Sequence, residues 1–175
     1  MGSWISYGLG TENQNLPSFI TICPNIGGGA SQNYSSAFLP TAHHGTPLGT
    51  AQMDNVAEAQ FPFLDNPKIS RSVQEQQLEL LQKWQRSQLE QAGPNQLLEG
   101  RIKSFELAFR MQTEAPSVVD ISSESQATRK LYGLDDKPTR NFGLRCLLAR
   151  RFIERGVRFV QVTHGENNKW DHHEN

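Results

Sequence analysis

The sequence predicts an α/β fold, and three observations carry the prediction. A helical pattern capped at Asn141 runs to Arg155, stops at Gly156 and passes at once into the apolar run Val157-Arg158-Phe159-Val160-Gln161-Val162-Thr163. Helix, one glycine, then strand is the αβ half of a parallel sheet. A second strand signal lies at 17–23, where Pro17 takes the permitted first position of a β-branched and aromatic stretch. Between the two, residues 71–112 carry helical periodicity in two blocks.

Taken in order, residues 1–15 are rich in Gly, Ser, Asn and Thr and read as loop. Met1 to Ser6 fits an N-myristoylation pattern, with Gly2 as acceptor and Ser in the sixth position, although Trp4 and Ile5 read as packing residues. After the 17–23 strand, Gly27-Gly28-Gly29 sits in a long polar loop. It lacks the Lys-Ser/Thr pair of a phosphate loop and reads as a turning segment. Residues 37–70 stay irregular, with Phe38-Leu39-Pro40 and Phe61-Pro62-Phe63-Leu64 as apolar anchors on either side of His43-His44.

From Ser70 the pattern becomes helical. Ser70 or Ser72 can cap, and Glu75 completes a capping box with Ser72. Leu78, Leu81 and Leu89 share a face with Trp84 at its edge; Gly93-Pro94 stops one helix and starts another, which presents Leu98, Ile102, Phe105 and Phe109. Ala115-Pro116 ends this hairpin, Val118 to Ile121 reads as extended, Ser122 to Tyr132 as a short helix closed by Gly133, and Asp135 to Pro138 as a turn. On the last helix Phe142, Cys146, Ala149 and Ile153 form the central stripe, widened by Leu148 and Phe152. Its arginines, 145, 150, 151 and 155, read as a solvated face. The chain thus divides into 1–70 (strand and long loops), 71–112 (helical hairpin) and 113–175 (helices, strand and a terminal loop).

Composition narrows the function classes. The 175 residues suffice for one core. A net charge of −1 argues against a protein that holds nucleic acid by bulk charge. No run of 18 apolar residues spans a bilayer. Two cysteines, Cys23 and Cys146, are no disulfide scaffold and read as buried free thiols.

The densest chemistry follows the final strand: His164, Glu166, Asp171, His172, His173 and Glu174. Open α/β sheets bind ligands outside the carboxyl ends of their strands. Carboxylate oxygen and imidazole nitrogen suit zinc, manganese or iron. Asp171 and His173, two apart in an extended loop, can face one way while His172 faces another. The same stretch can also be a solvated tail. A Ser-His-Asp triad is formally available, but no G-x-S-x-G elbow accompanies it.

Several blocks resemble a bacterial family named only as domain of unknown function 1501. They are Gly2-Ser3-Trp4 with Tyr7 through Pro17, Phe38-Leu39-Pro40 with Gly45-Thr46-Pro47, Glu106 through Gln112, Leu131-Tyr132-Gly133, Cys146 through Arg151, Glu154 through Gln161, and the W-D-x-H-x-N run at Trp170, Asp171, His173 and Asn175. That family resembles the alkaline phosphatase and sulfatase superfamily. The resemblance implies a partial alkaline-phosphatase-like sandwich, an incomplete domain whose other segments lie before Met1 and after Asn175. It implies hydrolysis of a small-molecule phosphate or sulfate ester with a divalent metal, zinc or similar, held in part by Asp171 and His173. His172 and His164 are further candidates. It also implies export in bacteria, and inactivity of this chain without the remainder of the polypeptide. The alternative is a non-catalytic binding or structural module that uses the 70–112 hairpin.

Overall fold

The computed structural model describes residues 1–25, 30–53, 55–62, 64, 66–93 and 95–164. Three parallel strands, β1 (Phe19–Ile22), β2 (Thr46–Leu48) and β3 (Phe159–Val162), form a sheet in the order β2-β1-β3. Ile20 pairs with Thr46 on one side and Val160 on the other. All four residues of β1 are buried, as expected of a central parallel strand covered on both faces. β2 lies in a segment read from sequence as irregular; three residues with a central proline are too short to signal a strand.

Among the described residues there are five α-helices: α1 (Gly2–Leu9), α2 (Arg71–Ala92), α3 (Gln96–Val119), α4 (Gln126–Leu131) and α5 (Lys137–Glu154). None is long and apolar enough to cross a membrane among the described residues.

α1 corrects the expected loop. Its glycines and serines are weak helix formers, but tertiary contact overrides that preference. Gly2 lies so close to Phe19 and Phe159 that a Cβ there would stand 2.7 Å from both rings. The two rings meet edge to face at 5.3 Å. The acylation pattern therefore places its acceptor glycine in a buried helix start. Trp4 is not a core residue; it is exposed and meets the more exposed Phe38 at 5.4 Å.

The main core lies on the other face of the sheet. Ile20, Ile22 and Leu48 pack with Phe61, with Met111, Ala115 and Val118 of α3, and with Leu144, Leu147, Leu148 and Phe152 of α5. Phe61 and Phe152 meet at 5.9 Å.

The helical hairpin is present, with shifted details. Ser70, not Ser72, caps α2, accepting from the Val73 N–H. Gly93 ends it, and Asn95 caps α3 by accepting from Leu97 and Leu98. Pro94 lies outside the described residues. α3 continues through Pro116 to Val119, so neither the expected stop nor the extended piece at 118–119 is found. One proline near the end removes a single ladder donor, and burial of Ala115 and Val118 offsets that loss.

The hairpin interface is more polar than the leucine pattern implied. Gln82 donates to Glu106 at 2.7 Å and Gln112 to Gln74 at 2.8 Å. Phe105, expected inside, is 47% exposed.

α5 starts at Lys137 rather than after Asn141, with Pro138 in its first turn, where its missing N–H costs nothing. Its buried stripe is Leu144, Leu147, Leu148 and Phe152; Phe142 and Ile153 of the expected stripe are exposed. Gly156 takes φ 83°, a left-handed turn that lets the chain reverse into β3.

Phe152→Ala should cost about 3–5 kcal/mol, because the residue is fully buried. Phe105→Ala should cost well under about 3 kcal/mol, since its ring already meets solvent. Urea midpoints of the two variants check the contrast.

Candidate functional site

Parallel strands put their carboxyl ends on one edge. Here that edge is formed by Cys23 after β1, Gly49 after β2, and Thr163 and His164 after β3. Cys23 donates its N–H to Leu48 O at 2.8 Å, and Thr163 donates to Ile22 O at 3.3 Å, so the three strand ends are tied together.

Arg145 of α5 reaches this edge. It was expected on a solvated face, yet it is only 4% exposed. Its Nη1 donates to Thr163 O, while its buried Nε has no hydrogen-bond partner among the described residues. No carboxylate among the described residues pairs with it there. A buried cation without a counterion is costly, which makes this edge receptive to an anion. Burial pushes the Cys23 thiol pKa up, and the Arg145 charge works against that rise. Cys23 is therefore a packed thiol; Cys146 is half-buried and also free.

His164 stands at the carboxyl end of β3, its ring 4.6 Å from Phe142. Asp171, His172 and His173 lie outside the described residues, as do Glu166, Trp170 and Gly27 to Gly29. Among the described residues, no group of three or more His, Cys, Asp or Glu could hold a metal ion.

A family model described as "Protein of unknown function (DUF1501)" matches residues 1–175. The chain belongs to the DUF1501 family. No curated protein and no solved structure matches it.

In this DUF1501 chain Arg150 and Arg151 are structural too, a second correction to the solvated-face expectation, whereas Arg155 is exposed as expected. Arg151 donates from Nε to Val118 O at 2.7 Å and from Nη2 to Ser117 O and Asp120 O, capping the free carbonyls at the end of α3. Arg150 and Arg151 both bind Glu124, Arg150 through both carboxylate oxygens at 2.8 and 2.9 Å. These bonds tie α5 to the end of α3 and to Glu124 ahead of α4.

A second chemical cluster lies at the opposite, amino-terminal edge of the sheet. A cleft of about 590 Å³ opens there beside Ser18 and His43, with Lys103 and Arg110 of α3 also lining it. Ser6 of α1 bonds Ser18 Oγ at 2.5 Å and His43 Nδ1 at 2.9 Å. Sequence reasoning did not bring these residues together; separations of 12 and 37 positions carry no motif.

Bonds from Arg151 and then Arg150 hold the Glu124 carboxyl below its ordinary pKa near 4.5. A carboxylate with a depressed folded pKa stabilises the fold above the unfolded value and loses that contribution as pH falls through the folded one. Glu124→Gln should therefore cost about 1.5–3 kcal/mol at pH 7, the worth of hydrogen bonds to a charged group. The gap from the parent should narrow below pH 4.5, as unfolding curves across the acid range would show.

Proposed function

We propose that this DUF1501 chain contributes part of the active edge of a metal-dependent hydrolase of phosphate or sulfate esters. One observation carries the reading: among the described residues Arg145 is buried without a carboxylate partner at the carboxyl end of β3, beside the strand that leads into the Asp171/His173 run. An ester oxyanion is the ligand chemistry that such a guanidinium suits. The resemblance to the alkaline phosphatase and sulfatase superfamily supports the same reading.

The donor chemistry of Asp171 and His173 fits zinc or a similar divalent ion, with His164 and His172 as further imidazoles near by in sequence. A bound metal would supply charge neutralisation at the ester oxygens. The protein's own contribution is positional. Arg145 holds an oxygen of the ester, and the tie between Thr163 and Ile22 fixes the strand that precedes the Asp171/His173 run in sequence. Zinc sites usually take four ligands, so Asp171 and His173 by themselves do not complete a sphere.

Calorimetric zinc titration tests this reading. The 175-residue chain should bind zinc weakly, lose that binding on combined Asp171→Ala and His173→Ala substitution, and turn over neither aryl phosphate nor aryl sulfate. Zinc binding unchanged by the double variant would refute the ligand assignment. Turnover by this chain alone would refute the incomplete-site reading.

The hairpin supports a second reading, a binding module. Leu80 and Trp84 of α2, one turn apart, are 70% and 58% exposed. Under that reading, Trp84→Glu abolishes an association while leaving the fold and the zinc affinity intact. Retention of every association would count against it.

A further inference from the structure

We propose that the cleft at the amino-terminal edge is a serine nucleophile site for carboxylic esters, with Ser18 as nucleophile, Ser6 as proton relay and His43 as the terminal base. It is separate from the carboxyl-edge reading, since Ser18 precedes β1 whereas His164 follows β3. Ser6 is 1% exposed, too deep to meet a substrate, but its Oγ lies within hydrogen-bond distance of both Ser18 Oγ and His43 Nδ1. Ser18 is half-buried and lines the cleft. Its backbone is pinned, because Phe159 N–H donates to Ser18 O at 3.0 Å. The Tyr7 ring meets the His43 ring edge to face at 5.3 Å and fixes its plane.

The chemistry balances. Ser18 Oγ bonds to the ester carbonyl carbon, its proton passes to Ser6 Oγ, and the Ser6 proton passes to His43 Nδ1. The carbon–oxygen bond to the alcohol then breaks, and the alkoxide leaves with a proton from Nε2 of His43, which itself lines the cleft. Water then attacks the acyl carbon and gives its proton to Nε2, and the Nδ1 proton returns through Ser6 to Ser18 Oγ as the acid leaves. Leu16, Phe61, Leu64, Leu107 and Met111 line the cleft and suit an apolar acyl group, and Lys103 supplies a cation to the same space. Burial, and then the Lys103 charge, hold the His43 pKa below 6.5, so its imidazole is neutral and able to accept a proton at neutral pH. Among the described residues, Ser6 and Tyr7 of α1 and Lys103 of α3 act on that ring.

A fluorophosphonate probe tests this directly. Attack by Ser18 forms an O–P bond, expels fluoride and should leave one adduct, mapped to Ser18 by mass spectrometry. Ser18→Ala should abolish it, and Ser6→Ala should slow labelling at least tenfold. His43→Ala should slow it as much, with added imidazole restoring the rate. Labelling of the parent chain should fall on acidification through the His43 titration. Circular dichroism confirms that each variant is folded. No adduct on Ser18 in the folded parent chain overturns the proposal, as does a rate indifferent to both His43→Ala and pH.

Discussion

The burial of β1 on both faces is the constraint on which the rest of the structure depends. Phe19 packs between Gly2 of α1 and Gly45 just ahead of β2; a Cβ at either glycine would stand 2.7 Å from its ring. Ile20 and Ile22 point the other way, into the cluster with α3 and α5. A strand held this tightly between layers leaves its partners one register each. Both edges of the sheet are fixed as a consequence, the carboxyl edge with Arg145 and the amino edge with the Ser18-Ser6-His43 string.

The arginines of α5 show how charge serves position here. Arg151 satisfies carbonyls at the end of α3, Arg150 and Arg151 share Glu124, and Arg145 reaches Thr163. Only the last lacks a carboxylate among the described residues. That difference within one helix separates a structural network from a candidate site. Buried ion pairs are weak evidence of stability, whereas a buried unpaired charge calls for a ligand.

The sequence was most legible where local chemistry decides the outcome. Ser70 as a cap, Gly93, Gly133 and Gly156 as stops, the β1 run and the helix-to-strand passage into β3 were all readable from neighbouring residues. Legibility failed where distant contacts decide. α1 is written in glycine and serine and folds because Gly2 fits against two phenylalanine rings. Arg145 has the composition of a solvated residue and is buried by a strand end 18 positions away. Ser6, Ser18 and His43 come from three separate elements, and no spacing announces them. Of the site residues named from sequence, His164 lies at the carboxyl edge as expected, while Asp171, His172 and His173 fall outside the described residues.

Three backbone bonds carry the central claim that the sheet is parallel in the order β2-β1-β3. Phe159 N–H donates to Ser18 O, Thr163 N–H to Ile22 O and Cys23 N–H to Leu48 O. Residue-resolved hydrogen exchange measures them directly. The amides of Phe159, Thr163 and Cys23 should exchange with the slow class of the β1 core. Exchange at all three as fast as in the exposed turns would contradict the strand order, and both edge sites with it.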